Sequence, residues 1–222
     1  MTLPTRGSAP VLLPGGAADW PAMAWSWGSL RDRAGAAVVP VHTGRWAEGR
    51  LGVHREGATE KRPAADFLGE IALAVYVGQG YLAGNELLRA VPELRGDLRF
   101  PAVGPLCVDV VWLGPAGNAT PIHFDLAPNL YVQLVGRKRW RLWEPWRRLG
   151  PRLSGAGAFA MSRLDAGKGP EAAGPPDLDV ELGPGDVLYL PSRWWHRVDT
   201  LTDAIAVNRW WWFGALLAPS HR

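Results

Sequence analysis

Apolar and polar positions divide the chain into a partly helical lead-in and a strand-rich remainder. Within residues 61–100, apolar side chains recur at roughly helical spacing from Phe67 to Leu73 and again from Leu87 to Leu94. A further short helix is predicted from Ser26 to Ala34, with Gly35 as its stop signal. The first 100 residues are therefore predicted to form a lead-in of short helices with an edge strand.

The second half of the chain is dominated by short apolar segments of strand length. Cys107 to Leu113 is a continuous apolar run with one acid, which is typical of a buried strand. The segments Leu130–Leu134 and Lys138–Trp143 flank a predicted tight turn at Val135–Arg137. Further strands are predicted at Val187–Leu190 and Ala204–Trp211. In the first half of the chain, one edge strand that carries a proline is predicted at Ala37–His42.

Glycine and proline interrupt this pattern unusually often. The 222 residues include 27 glycines and 20 prolines. Together they make up about a fifth of the chain, whereas the usual share of these two residues is about 12%. This composition disfavours a helical bundle and favours short strands joined by turns, as in a sandwich or barrel. We predict one domain over residues 1–222, with a helical and edge-strand lead-in over 1–100 and a β core over 101–214. The stretch Gly150–Pro176 is predicted to be a long irregular loop that covers a site.

Composition narrows the class of protein and its partners. A single cysteine excludes an intrachain disulfide and a thiolate zinc cluster. No secretory signal precedes Gly16, and no apolar run approaches the ~20 residues of a membrane helix. We therefore expect a soluble, cytoplasmic protein without a membrane partner. The net charge of +3 is compatible with an acidic partner or with a merely arginine-biased surface, and without a long basic run we expect no nucleic acid.

Two of the five histidines have neighbours that suit metal binding. His123 and Asp125 are two positions apart, so in a strand both project from one face. His196 follows a predicted turn and strand that end near Leu190. Two imidazoles and one carboxylate leave three positions open on a metal, as in non-haem Fe(II) oxygenases that bind a keto acid and O2. A hydrogen-bonded histidine at a strand end is the alternative interpretation of so short a pattern.

The strand after the predicted turn carries alternating cationic side chains. Its arginines (Arg137, Arg139 and Arg141) project from one face, and Lys138 projects from the other. If the arginines face solvent, Lys138 points inward, where an unpaired ammonium is costly unless an anion meets it. The distal carboxylate of 2-oxoglutarate is such an anion. The alternative is that the faces are reversed, with Lys138 exposed and the arginines paired.

These segments together resemble a known family. The core of the likeness is Asn118–Asp125, Asn129 and Gln133–Arg139, followed by Gly183–His196 and Val207–Trp211. Tyr81–Ala83, Pro92–Leu94 and Trp20–Ala22 add weaker matches upstream. The pattern resembles the cupin-like JmjC-domain hydroxylases, the family of the asparaginyl hydroxylase factor-inhibiting HIF, over roughly residues 10–214.

The resemblance implies a mainly β protein: a double-stranded β-helix, or jelly roll, with flanking N-terminal helices. It implies Fe(II), with 2-oxoglutarate and O2 as co-substrates. His123, Asp125 and His196 match the iron ligands, and Lys138 matches the lysine that binds the distal carboxylate of 2-oxoglutarate. Thr120 and Tyr81 match hydroxyls that help to bind the same carboxylate. Asn129 and Asn208 match amides near the iron, and Trp210 matches an aromatic residue at the edge of the pocket.

The resemblance further implies a dioxygenase that hydroxylates an amino-acid side chain within a protein or peptide. Three alternatives stay open at this stage. The same chemistry on a methylated lysine or arginine gives demethylation, and the substrate can also be a small metabolite. The third alternative is a cupin module that holds a metal or a small acid without turnover. The sequence leaves the oligomeric state undecided.

Overall fold

The computed structural model describes residues 9–42, 46–49, 52–55, 59–69, 86–103, 106–153, 159–162 and 170–212. The lead-in contains five strands, β1 (Val11–Leu13), β2 (Val38–His42), β3 (Trp46–Gly49), β4 (Gly52–Arg55) and β5 (Thr59–Pro63). Its helices are α1 (Trp27–Ala34), α2 (Ala64–Gly69) and α3 (Glu86–Ala90), with 3-10 turns at Pro21–Ala24 and Pro92–Asp97. None of the helices in the described ranges is long and apolar enough to cross a membrane.

Helix α1 shows how local chemistry fixes the lead-in. The Ser26 hydroxyl accepts a hydrogen bond from the Ser29 backbone N–H at 3.0 Å, and the Ser29 hydroxyl accepts one from Ser26 N–H at 2.8 Å. This reciprocal capping box satisfies two backbone donors that the first turn would leave unpaired. Gly35 follows the helix with a φ of +44°, a backbone conformation that glycine adopts without a Cβ clash. The helix predicted from Ser26 to Ala34 is confirmed.

The remaining strands build the core. They are β6 (Cys107–Gly114), β7 (Ala119–Asp125), β8 (Asn129–Val135), β9 (Lys138–Trp143), β10 (Pro151–Leu153), β11 (Phe159–Ser162), β12 (Leu178–Leu182), β13 (Val187–Leu190), β14 (Trp195–Thr200) and β15 (Ala204–Trp211). One antiparallel sheet has the order β1-β13-β8-β15-β6, and a second has the order β10-β11-β7-β14-β9-β12. Strands β2 and β5, and β3 and β4, form two separate hairpin-like pairs.

The two large sheets share one apolar interior. Leu188 of β13 and Ala206 of β15 pack in the same buried cluster as Leu142 of β9 and Val198 of β14. The opposite face of the five-stranded sheet, represented by Val132, packs against α1, α3 and the lead-in turns. Removing these apolar faces from water stabilises both layers. The predicted double-stranded β-helix with flanking helices is confirmed.

The segment Gly150–Pro176 corrects one prediction. It is not one irregular loop: it contains β10, β11 and a 3-10 turn at Pro170–Ala173. Strand β11 pairs with β7, with Met161 opposite His123. The surrounding glycines and prolines favoured a loop, whereas pairing with β7 and burial of Ala160 and Met161 stabilise this four-residue strand.

Candidate metal centre

Strand pairing brings together the two predicted histidines. His123 of β7 lies directly opposite His196 of β14, and their ring centroids are 4.0 Å apart. Asp125 lies two residues further along β7, on the same face. One ligand atom from each of the three side chains lies within 4.8 Å of the others, and all three residues are buried.

Each histidine has a fixed orientation. The Nδ1 atom of His123 lies 2.8 Å from the Pro121 carbonyl oxygen, and that of His196 lies 3.0 Å from the Trp194 carbonyl oxygen. A carbonyl oxygen only accepts, so Nδ1 carries the proton in both rings and Nε2 keeps its lone pair. Metal-ligating histidines are typically oriented by such a second hydrogen bond.

Asp125 has one satisfied oxygen and one unsatisfied oxygen. Its Oδ2 accepts hydrogen bonds from the Trp210 indole N–H at 3.0 Å and from the Asn129 amide at 3.4 Å. Its Oδ1 is buried and has no hydrogen-bond partner among the described residues. A buried carboxylate oxygen without a partner is costly unless a cation or a donor meets it. The three residues therefore fit a divalent metal ion, with Oδ1 and two Nε2 atoms as its ligands.

The electrostatics of the triad favour a bound cation. Burial raises the pKa of Asp125, although the nearby His123, Trp210 and Asn129 oppose that effect. Burial and His123 lower the pKa of His196 well below its usual value. The site therefore resists both an uncompensated carboxylate and an imidazolium. A metal ion would compensate the carboxylate and use the neutral imidazole.

A register shift brings Thr120 to the same face. His196 pairs with His123, but Val198 pairs with Thr120, so two residues of β14 span the same length as three residues of β7. This bulge restores Thr120 to the side of the sheet that carries His123, despite their odd separation. Thr120 is half-buried, in a row with Val198 and, across β14, Trp140.

Lys138 is the first residue of strand β9, and its side chain is buried. It pairs with Thr200 of β14 and Leu182 of β12, and only 8% of its surface is exposed. Its Nζ lies 5.9 Å from the centroid of the Tyr131 ring. Burial lowers the pKa of Lys138 to about 8. No carboxylate in the described part of the chain forms an ion pair with it, whereas its neighbour Arg139 is exposed and paired with Asp179.

Three further predicted residues, Asn129, Asn208 and Trp210, belong to the five-stranded sheet. Asn208 is buried and accepts a hydrogen bond from the Trp112 indole at 2.7 Å. Asn129 lies opposite Trp210 across the β8–β15 pair, and its Oδ1 is buried without a partner among the described residues. Trp210 packs edge-on against Trp112, with ring centroids 6.0 Å apart. Tyr81 lies outside the described residues, and its assignment stays a prediction.

The sequence interpretation assigned no role in the site to two residues that lie in it. Trp140 is buried on the inner face of β9 and stacks on His196, with ring centroids 5.5 Å apart. The alternation that turned Lys138 inward was sufficient to place Trp140 beside it. Arg193 has a φ of +67°, and its backbone N–H donates to the Asp125 carbonyl oxygen at 2.8 Å. Nothing in the sequence indicated that left-handed backbone, which is uncommon for a residue other than glycine.

Comparison with known proteins supplies the family. The chain is 30% identical over 217 residues to lysine-specific demethylase 8 of Xenopus tropicalis, covering 91% of this chain and 48% of that protein. The Danio rerio protein of the same name is 31% identical over 225 residues, covering 91% and 53%. Human 2-oxoglutarate and iron-dependent oxygenase JMJD4 is 32% identical over 120 residues, covering 50% and 28%.

The chain thus spans about half the length of the two demethylase relatives. A family model described as a cupin-like domain matches residues 5–212, nearly the whole chain. That match agrees with the double-stranded β-helix and with the buried histidine–aspartate–histidine cluster. The chain belongs to the cupin-like JmjC domain family.

Proposed function

We propose that the protein is an Fe(II)- and 2-oxoglutarate-dependent dioxygenase that hydroxylates an amino-acid side chain in a protein or peptide. One observation carries the proposal: the histidine–aspartate–histidine cluster and the buried Lys138 project from one inner face of the six-stranded sheet. The cluster supplies a cation site. Lys138 supplies an anion site on the same face, four residues along β9 from Leu142, the residue opposite His196. A keto acid that chelates a metal and ends in a carboxylate satisfies both.

The residues then have distinct roles. His123, Asp125 and His196 hold the iron through three ligands and leave three positions open. Bound iron supplies the oxygen activation that is coupled to oxidation of 2-oxoglutarate. Lys138 and Thr120 bind the distal carboxylate, with Tyr81 as the predicted third partner. Asn129 and Trp210 donate hydrogen bonds to Oδ2 of Asp125, which would leave Oδ1 as the oxygen that holds the metal. Asn208 is the amide nearest the proximal carboxylate in this proposal.

An apolar cluster beside Asp125 supports a side chain as the substrate. Trp210, which donates to Asp125, packs with Val110 and Ala127, and with the half-buried Trp112 and Trp212. Half-buried tryptophans offer an apolar face to a ligand. Such a surface suits a side chain that enters from an extended peptide.

Demethylation of a methylated lysine or arginine is the second candidate. It is favoured by the two relatives whose names identify them as lysine-specific demethylases. Hydroxylation of an N-methyl group gives an unstable product that releases formaldehyde, whereas hydroxylation of a side-chain carbon leaves a stable product. The two outcomes therefore differ in a product that can be measured directly.

The first test concerns the site itself. Metal-free protein is mixed with Fe(II) and 2-oxoglutarate without oxygen, and the visible charge-transfer band is recorded. The band is expected in the wild type, is expected to vanish in His196→Ala, and should require far more 2-oxoglutarate in Lys138→Ala. Arg139→Ala, on the outer face of the same strand, is the matched control and should resemble the wild type. If the wild type shows no band, the proposed oxygenase function is wrong, and a cupin that binds a metal or ligand without turnover is the better hypothesis.

The second test identifies the reaction. The loaded protein is incubated with O2 and with mixtures of unmodified or methylated peptides, and products are analysed by mass spectrometry and a formaldehyde assay. A stable gain of one oxygen atom without formaldehyde supports side-chain hydroxylation. Formaldehyde together with loss of a methyl group supports demethylation instead.

A further inference from the structure

The indole of Trp140 is buried with an unused donor. Only 4% of its surface is exposed, and its Nε1–H has no hydrogen-bond acceptor among the described residues. A buried donor of this kind costs free energy, and phenylalanine or leucine would fill the position without that cost. Most buried polar groups in folded proteins have a partner, so an orphaned one needs an explanation.

Trp140 lies between the candidate metal centre and Lys138. It is two residues from Lys138 on the inner face of β9, and its ring stacks on His196 with an interplanar angle of 19°. Tyr131 is a second aromatic neighbour, in an edge-on contact with ring centroids 4.6 Å apart. The same Tyr131 ring lies 5.9 Å from the Lys138 Nζ. Trp140 therefore borders the path that joins the metal ligands to the lysine.

The surroundings of Trp140 are mostly apolar. Val198 lies directly opposite it on β14, and Leu142 and Leu182 belong to the same buried cluster. The Tyr131 hydroxyl already donates to Gln133 Oε1 at 2.7 Å. A buried water requires two to four polar partners, and among the described residues Val198, Leu142 and Leu182 offer none. An acceptor oxygen carried on a short carbon chain fits this environment better.

We propose that Trp140 is a further co-substrate-binding residue, whose indole N–H donates a hydrogen bond to an oxygen of 2-oxoglutarate. The face of the ring contacts the carbon chain of that molecule, while Lys138 binds the distal carboxylate. The inference rests on the proposed function, because it assumes that the keto acid lies between the metal and Lys138. The proposal adds the neutral indole donor of Trp140 to the cationic donor of Lys138. It also explains why the Trp140 indole N–H is unpaired when no ligand is bound.

The test removes the donor and keeps the ring. In Trp140→Phe, the 2-oxoglutarate Kd measured without oxygen from the charge-transfer band is expected to rise about tenfold, the effect of one lost hydrogen bond to an anion. The Fe(II) affinity should stay within about twofold of the wild type, because Trp140 is not a ligand. The unfolding midpoint of the metal-free variant should fall less than that of Trp143→Phe, because the volume lost is the same and no hydrogen bond is broken.

Trp143→Phe is the matched control on the same strand. Trp143 is also buried, but its cluster lies on the other face of β9, and its indole N–H donates to the Gly174 carbonyl oxygen at 3.0 Å. This variant is expected to lose stability, because a carbonyl oxygen loses its donor, and to keep the wild-type Kd for 2-oxoglutarate.

Several outcomes would overturn the proposal. An unchanged Kd in Trp140→Phe means that the donor is not used. A parallel loss of Fe(II) affinity means that the indole only supports His196. If the variant does not fold, the wild type with 15N-labelled tryptophans and Zn(II) gives the answer. Added 2-oxoglutarate should then move an indole N–H proton downfield, and no such shift among the 13 tryptophans overturns the proposal. If the wild type forms no charge-transfer band, the proposed function itself is wrong. That result differs from a normal band with an unchanged Kd in Trp140→Phe, which contradicts only the role of Trp140.

Discussion

The two faces of strand β9 treat their polar side chains in opposite ways. On the outer face, Arg137 pairs with Glu181 at 2.7 Å, and Arg139 pairs with Asp179 at 2.6 Å. On the inner face, Lys138 and Trp140 are buried, and neither has a hydrogen-bond partner in the described part of the chain. The two exposed arginines of the outer face are thus paired, whereas the buried Lys138 ammonium and Trp140 indole of the inner face are not. The partly buried Arg141 of the outer face donates to Asp199 through one guanidinium nitrogen, while its Nε is buried without a partner among the described residues.

This difference separates residues that serve the fold from residues that serve a ligand. An exposed ion pair contributes little to stability, because both charges remain well solvated when the pair is broken. A buried ammonium without a partner destabilises the fold, so its presence indicates another use. Substitutions on the inner face should therefore affect binding strongly, and substitutions on the outer face should affect only stability.

The largest expected effect is that of Lys138→Met. The Kd for 2-oxoglutarate should rise at least about 100-fold, because the charge-assisted hydrogen bond to the distal carboxylate is lost. The free energy of unfolding should increase by on the order of 2 kcal/mol near pH 7, because burial lowers the pKa of this lysine to about 8 from 10.5. Anaerobic titration and chemical denaturation measure the two quantities on the same preparation.

Arg139→Met is the control for Lys138→Met, one residue away on the outer face. It removes a cation of the same sign whose side chain is half exposed, so both the Kd and the stability should stay close to the wild type. If Lys138→Met destabilises the protein, the buried ammonium has a partner that stabilises it, and the contrast between the two faces is wrong.

The affinity for 2-oxoglutarate should fall as the pH rises through about 8. The protonated form of Lys138 binds the carboxylate, and burial lowers the pKa of that amine to about 8 in the free protein. Above that pH the binding equilibrium must also protonate the amine, so the Kd should rise toward tenfold per pH unit. Titrations from pH 6.5 to 9.5 measure the profile, and Lys138→Met should lose this component of the slope.

Stability should show the complementary pH dependence. Because the folded pKa lies below the unfolded value of 10.5, the unfolded chain binds more protons between about pH 8 and 10.5. The contribution of Lys138 to the free energy of unfolding therefore increases with pH in that window. A contribution that decreases there would show that the ammonium is stabilised in the folded protein.

The inner face of β9 was the most predictable part of the site. A period of two is enough to separate Lys138 from Arg139, and the same period puts His123 and Asp125 on one face of β7. Both the inward lysine and the exposed arginine agree with the structure. The alternative with reversed faces is wrong, because Lys138 is buried, but the arginines are paired as that alternative expected.

Other parts of the site depend on tertiary pairing and could not be predicted. Thr120 shares a face with His123 only because of the bulge between β7 and β14. The hydrogen bond from Trp210 to Asp125 joins residues 85 positions apart in the sequence. Strand β11 is only four residues long, within a segment rich in glycine and proline, and it forms against the edge of β7. These features follow from register and long-range contacts rather than from local periodicity.

The smallest expected effect tests the outer face. Asp199 accepts hydrogen bonds from Arg141 at 2.6 Å and from Arg197 at 3.0 Å, and all three side chains are about one-fifth exposed. Asp199→Asn removes the charge at nearly constant shape, so the free energy of unfolding should fall by about 1 kcal/mol. Asp179→Asn, in a more exposed pair with Arg139, should cost less. Neither variant should change the Kd for 2-oxoglutarate. A weakened Kd in Asp199→Asn would mean that the ion pairs outside the barrel also position Val198 and Trp140 inside it.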